Sequence, residues 1–135
     1  MSLMKMRYLG NLRCEAIHLD SRSSFQTDAP KDNQGQGEQF SPTDLLCTSL
    51  ATCVLTTMAI KGRSMSIDLG GVEIEVRKVM SSTPPRRVAE VILKVEWNGL
   101  SERITPEQLE SLKRSGEHCP VALSLHPELK KTILW

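Results

Sequence analysis

The sequence predicts an α+β fold in which an antiparallel β-sheet packs on one long central helix. Three observations support this prediction. An apolar segment with helix start and stop signals covers residues 41–62, alternating runs flank a turn at residues 81–85, and a second helix start lies at Thr105. Because the strands come in groups instead of alternating with helices, the pattern is typical of the α+β class. A length of 135 residues fits a single domain spanning residues 1–135, although we expect residues 1–3 to lie outside the fold.

Composition excludes several classes of protein. The formal net charge is +1, so no basic surface for nucleic acid or for an anionic membrane is expected. The chain does not open with a charged-then-apolar targeting segment, which predicts a cytoplasmic protein. The four cysteines contain no C-x-x-C pair, so we expect no metal site and no cofactor, and thiols that are reduced at rest.

The first forty residues are predicted to form short strands and a loop. Residues suited to strands occupy 7–13, 15–19 and 25–27, and a serine-rich turn cluster at 20–24 precedes the third strand. Residues 29–40 are polar, contain glycine and show no periodicity. We therefore expect them to form a mobile surface loop that leads to the central helix.

The central helix is predicted from its two ends and its composition. Ser41 can cap it, Pro42 suits the first helical position, and Asp44 can complete a capping box. Lys61 suits the last turn, and Gly62 could adopt a left-handed conformation that ends the helix. Since apolar residues occur all around its circumference, we expect this helix to be buried. The hydroxyl residues within it and its flanking charges argue against a membrane span.

The second half of the chain is predicted to contain a hairpin, two helices and a last strand. Residues 72–77 and 87–97 alternate between apolar and polar side chains around a proline-containing turn, which indicates an antiparallel hairpin. Thr105 begins a capping box for a helix that ends near residue 116. Pro120 would open a short helix with Cys119 as its N-cap, and a strand is expected near residue 133.

The cysteines differ in their local surroundings. Cys119 would benefit from the helix dipole and from unpaired N–H groups, which predicts a lowered pKa and makes it the more reactive thiol. Cys53 lies deep in a helix and would need a nearby cation to ionise. Cys47 is a poor disulfide partner for Cys53, because six helical residues separate them by about 120° and about 9 Å. The alternative for every cysteine is a small buried apolar side chain, and His118 is expected at the surface.

Several motifs together resemble a known family. The segments are FSPTDLL and ATC in the central helix, CPVALSL near the C-terminus, and the loop TDAPKDN at residues 27–33. Their order and spacing resemble the family of osmotically inducible protein C and organic hydroperoxide resistance proteins. The resemblance implies an intertwined homodimer with two active sites at the subunit interface. It also implies that Cys53 attacks peroxide, that Cys119 resolves the product as a disulfide, and that a dithiol or lipoylated reductant restores both thiols.

The resemblance also implies an activating arginine, which we place at Arg13, with Arg7 and Arg22 as alternatives. Characterised peroxidases of this family hold that arginine with a glutamate directly after the proline of the helix-start motif. Here that position is Thr43. Asp44 is a poor substitute because it faces roughly the opposite side of the helix from Cys53. We expect the exposed loop to offer Glu38 as the alternative partner of the arginine.

These features favour a stress-response antioxidant enzyme, a thiol peroxidase that acts on organic hydroperoxides. The apolar lining expected around Cys53 favours alkyl over small polar peroxides. One alternative is a non-enzymatic protein of the same fold that binds a small apolar ligand or senses redox state. The other is a purely structural dimer, which would leave the two thiols unexplained. The sequence does not identify the physiological substrate or reductant.

Overall fold

The structure, a computed structural model, describes all 135 residues and confirms the α+β class. Its strands and helices, in chain order, are β1 (Met4–Gly10), β2 (Arg13–His18), β3 (Ser24–Asp28), α1 (Pro42–Ser64), β4 (Glu73–Met80), β5 (Val88–Glu96), α2 (Pro106–Glu117), α3 (Pro120–Ser124) and β6 (Lys130–Leu134), with a 3₁₀ turn at Lys31–Asn33. The chain forms two compact units, Met1–Leu46 and Cys47–Trp135. The single domain expected from the sequence stays a prediction.

The first unit contains an antiparallel sheet with the order β1-β2-β3. The predicted strand at 7–13 is wrong, because the chain reverses at Asn11 and Leu12, whose φ angles are 51° and 59°. Two consecutive positive φ values define the tight turn that matches the twist of a hairpin. The first strand also starts earlier than expected, since the Leu3 carbonyl accepts a hydrogen bond from Leu19 N at 3.0 Å.

One face of this sheet is apolar and exposed. Met6, Ala16 and Phe25 lie directly opposite one another across the three strands and therefore share a face. Met4 and Tyr8, two residues either side of Met6, point the same way. Met4, Met6, Tyr8 and Phe25 are each more than half exposed. We call these five residues the apolar face of the first sheet.

Helix α1 begins as predicted but ends later. The backbone N–H of Asp44 donates to Ser41 Oγ at 3.1 Å, and the Ser41 N–H donates to Asp44 Oδ2 at 2.8 Å, which completes the capping box. The predicted end at Gly62 is wrong. This glycine lies inside the helix, where a larger residue would not fit. A Cβ there would lie 2.5 Å from Leu69 Cδ1 and 2.8 Å from the Ile67 carbonyl oxygen. Close packing, rather than a left-handed turn, explains the glycine.

The expectation that α1 is buried on all sides is also wrong. An exposed stripe runs along it at a spacing of three or four residues: Ser49, Thr52, Thr56, Ile60 and Arg63. The hydroxyls of Thr52 and Thr56 each donate to the carbonyl four residues earlier at 2.9 Å, so both are satisfied within the helix. By length and composition alone α1 could cross a membrane, a test that core helices of soluble proteins also pass.

The second unit contains a sheet with the order β4-β5-β6. The predicted hairpin of β4 and β5 is confirmed, and β6 adds the expected last strand. However, β6 runs parallel to β5, so this sheet is mixed rather than purely antiparallel. The reason is that α2 and α3 return the chain to the starting end of β5 before β6 begins.

Buried side chains of α1, β5 and α2 form the core of the second unit. The largest fully buried apolar side chains there are Leu50, Val54, Met58, Val91, Leu93 and Leu112. Helix α2 has the predicted capping box of Thr105 and Gln108. In α2, Gly116 permits close approach to α1, because a Cβ at Gly116 would lie 3.0 Å from Met58 Cγ and 3.1 Å from Val54 Cγ1.

Candidate functional site

Cys53 and Cys119 are neighbours in the structure. Cys53 lies midway along α1, and Cys119 is the N-cap residue of α3, as the sequence predicts. Their side chains are close enough to interact, since Cys53 raises the pKa of Cys119, although the residues are far apart in sequence. The structure thus brings these two side chains together, whereas the predicted distance of about 4 Å between the sulfurs stays a prediction. Both are free thiols.

The two thiols differ in exposure and environment. Cys119 is fully buried, whereas Cys53 is half-buried. Burial raises the pKa of the Cys119 thiol. The Ala122 N–H, 3.4 Å from its sulfur, opposes this shift, and the neighbouring Cys53 adds to it. The predicted lowering of this pKa is wrong. A helix of five residues at Cys119 offers too little stabilisation to outweigh the loss of water around a thiolate.

The other two cysteines and His118 differ in exposure. Cys47 is buried and Cys14 is half-buried in β2. His118 is exposed, and its Nδ1–H donates to the Arg114 carbonyl at 2.8 Å. The prediction that His118 lies at the surface is therefore confirmed.

A second cluster, within the first unit, surrounds Arg13. Its Nε–H donates to Asp28 Oδ1 at 2.7 Å, and its Nη2 donates to Asp28 Oδ2 and to Glu38 Oε2, both at 2.8 Å. The fork of the guanidinium is thus bidentate on Asp28, an arrangement that fixes its plane. Glu38 contacts Arg13, as the sequence analysis expected. Arg7 and Arg22 are exposed.

Asp28 is the residue of this cluster that the sequence analysis missed. It is 1% exposed, and its Oδ2 also accepts the backbone N–H groups of Glu38 and Gln39 at 3.0 and 3.1 Å. The hydrogen bonds from Arg13 hold the pKa of Asp28 at about 2, below its ordinary value, with help from these two N–H groups and against the effect of burial. Burial of an aspartate could not be inferred from its place beside a polar loop.

Thr43 takes part in the helix start. Its Oγ1 lies 3.0 Å from Ser41 Oγ, at hydrogen-bond distance. An uncharged hydroxyl cannot form the ion pair that a glutamate would form at this position. No group of three or more histidine, cysteine, aspartate or glutamate side chains in the structure could hold a metal ion.

Comparison with known proteins identifies the family. A model of the OsmC-like protein family matches residues 35–133, which include both contacting thiols. The chain belongs to the OsmC-like family. Family membership implies a redox function at the level of the family, and members of the family are homodimers. A search of curated proteins finds no match.

Solved structures agree with this assignment. An osmotic stress induced and detoxification response protein from Psychrobacter arcticus 273-4 is 46% identical, with a TM-score of 0.91 over 99% of this chain and 95% of that chain. The organic hydroperoxide resistance protein OsmC from Legionella pneumophila is 17% identical, with a TM-score of 0.75 over 99% and 95%. OhrB of Bacillus subtilis is 13% identical, with a TM-score of 0.64 over 99% and 96%. The latter two share the OsmC-like fold.

Proposed function

We propose that this OsmC-like protein is a thiol peroxidase that reduces organic hydroperoxides through Cys53 and Cys119. The observation that carries the proposal is that a half-buried thiol in α1 lies close enough to interact with a fully buried thiol at the start of α3. A reacting cysteine must meet substrate, and its resolving partner must lie within reach. The more exposed Cys53 suits the first role, and the enclosed Cys119 suits the second.

The reaction proceeds in three balanced steps. The Cys53 thiolate attacks one peroxide oxygen, the O–O bond breaks, and the alkoxide leaves as an alcohol after taking a proton; Cys53 becomes a sulfenic acid. The Cys119 thiol then attacks the Cys53 sulfur, which forms the disulfide and releases water. A dithiol or lipoylated reductant finally exchanges with the disulfide, and its own two thiols are oxidised as Cys53 and Cys119 are restored.

Arg13 is proposed to favour the thiolate of Cys53 and to bind the peroxide. A guanidinium remains protonated at any working pH, so it offers a constant positive charge. In the structure Arg13 uses Nε and Nη2 for its carboxylate partners, whereas Nη1 makes no hydrogen bond. Two N–H donors are therefore available for peroxide oxygens.

The active form is proposed to be a cytoplasmic homodimer. Two observations support a second copy as the partner: the apolar face of the first sheet is exposed, and the exposed stripe on α1 carries no charge from Ser49 to Ile60. Large exposed apolar surfaces on a soluble protein usually mark an interface. A reducing compartment would supply the thiols that the third step consumes.

The test is single-turnover oxidation of pre-reduced protein by an alkyl hydroperoxide, followed by loss of free thiol. Wild type should lose two thiols per chain, Cys53→Ser none, and the matched control Cys14→Ser two. Arg13→Ala should be slow, and Arg13→Lys should recover only part of the rate because it keeps the charge but loses the fork. Equal rates for Cys53→Ser and wild type would overturn the proposal, and a wild-type rate for Arg13→Ala would remove Arg13 from it.

A second function, binding of a small apolar ligand, is favoured by a cavity in the second unit. Its volume is about 550 Å³, and apolar side chains share its lining with the polar or charged Thr56, Arg63, Ser66 and Asp68; the apolar ones are Leu55, Ala59, Ile67, Leu69 and Val72. This volume falls within the range of small-molecule sites. Measuring the melting temperature of the protein in the presence of a fatty acid distinguishes ligand binding from peroxidase activity. A rise in melting temperature that Ala59→Trp abolishes, without any peroxide consumption, would favour ligand binding.

A further inference from the structure

We propose that Asp28 is the residue that positions Arg13 in this protein, in place of the glutamate whose position Thr43 occupies. This inference rests on the proposed function, because the positioned guanidinium is the one that acts on peroxide. The geometry around Arg13 assigns this positioning role to Asp28 rather than to Glu38 or Thr43.

Asp28 meets Arg13 across a fixed strand register. Arg13 begins β2 and Asp28 ends β3, and the two residues are direct partners in the antiparallel pairing of these strands. Residues paired in this way have side chains on one face at the shortest cross-strand distance. The backbone therefore delivers the carboxylate to the guanidinium with no long flexible segment between them.

The Asp28 carboxylate is itself held in place. Besides two bonds from Arg13, it accepts the backbone N–H groups of Glu38 and Gln39, so four hydrogen bonds converge on a side chain that is 1% exposed. A buried carboxylate with four donors cannot rotate without losing several of them. Because the carboxylate is fixed and binds Arg13 through two hydrogen bonds, the plane of the Arg13 guanidinium is fixed as well. That plane sets the direction of the N–H bonds of Nη1.

Glu38 and Thr43 cannot provide the same constraint. Glu38 makes one bond to Arg13 from a side chain that is 67% exposed, and water can replace such a contact at small cost. The Thr43 hydroxyl pairs with Ser41 and carries no charge. Of the three residues, only Asp28 combines charge, burial and bidentate geometry.

The test compares variants in the single-turnover assay. Asp28→Asn should slow Cys53 oxidation by roughly 10- to 100-fold, because displacement of a reacting group by about 1 Å has an effect of that size. Glu38→Gln should slow it by less than about fivefold. Asp28→Glu keeps the charge and should recover part of the rate. Glu110→Gln, which removes an exposed carboxylate on α2, is the matched control and should react like wild type.

A positioning role also predicts coupling to Arg13. In an Arg13→Ala background, Asp28→Asn should cause no further loss of rate, since no guanidinium remains to be positioned. An equal loss in both backgrounds would overturn the inference and show that Asp28 acts on stability alone. So would an Asp28→Asn rate equal to that of Glu110→Gln.

A readout that needs no peroxide separates this inference from the proposed function. The Nε–H of Arg13, hydrogen-bonded to Asp28, should give a distinct signal in ¹⁵N-resolved NMR spectra that is absent in Arg13→Lys. It should shift in Asp28→Asn and Asp28→Glu and persist in Glu38→Gln. If wild type leaves peroxide untouched, the proposed function fails, and this signal still decides whether Asp28 holds the guanidinium.

Discussion

The variants Cys119→Ala and Cys53→Ala should differ from each other both in stability and in their reaction with peroxide. Cys119→Ala removes a fully buried sulfur and the acceptor for the Ala122 N–H. Loss of a buried group of that size costs about 0.8 kcal/mol, and loss of an N-cap acceptor costs about 0.5 to 2 kcal/mol. We therefore expect the free energy of unfolding to fall by about 1.3 to 2.8 kcal/mol.

The expected change in melting temperature follows from chain length. At about 2.1 cal/mol/K per residue, a chain of 135 residues has an unfolding entropy of about 0.28 kcal/mol/K. Cys119→Ala should then melt roughly 5 to 10 °C below wild type. Cys53→Ala removes a half-buried side chain with no capping role. It should lower the free energy of unfolding by about 0.5 to 1 kcal/mol and the melting temperature by roughly 2 to 4 °C.

Calorimetry at fixed protein concentration, with reductant present, measures both shifts. The same samples treated with one equivalent of alkyl hydroperoxide should show a sulfenic acid in Cys119→Ala, trapped by dimedone and detected by mass, and none in Cys53→Ala. If Cys53→Ala is the less stable variant, the assignment of Cys119 as the buried, capping thiol is wrong. If the sulfenic acid instead forms in Cys53→Ala, the order of attack is reversed.

Three further outcomes are expected. Gly62→Ala should lower the free energy of unfolding by about 1 to 3 kcal/mol in denaturant titrations despite better helix propensity, because the new Cβ would lie 2.8 Å from the backbone oxygen of Ile67. Gly116→Ala should cost less, because its Cβ would meet only side chains, at 3.0 Å or more; the reverse order would contradict this. Asp28 has its pKa lowered from 3.8 to about 2, so its stabilising contribution should be complete above about pH 4 and lost as pH falls toward 2. In an acid titration, the free energy of unfolding of Asp28→Asn should therefore fall less steeply between about pH 4 and 2 than that of wild type. A slope equal to that of wild type would argue against the lowered pKa. Light scattering should give the mass of a dimer at micromolar protein, and a monomer mass at that concentration would contradict the proposed assembly.

Local signals in the sequence determined much of the secondary structure. The capping boxes at Ser41 and Thr105 and the N-cap at Cys119 were predictable because each depends on residues within three or four positions of one another. Alternation of apolar and polar residues located β4 and β5 for the same reason. The family resemblance, carried by short motifs, implies the roles proposed for Cys53 and Cys119.

Only the tertiary structure decided features that depend on distant parts of the chain. The pairing of Arg13 with Asp28 requires the register of β2 against β3, and that register depends on the conformation of the turn between them, where Arg22 has a φ of 62°. Gly62 looked like a helix end because its local signal is the same whether the glycine turns the chain or makes room for Leu69. Cys119 has a raised pKa because burial, which depends on the whole core, outweighs the local dipole of a five-residue helix.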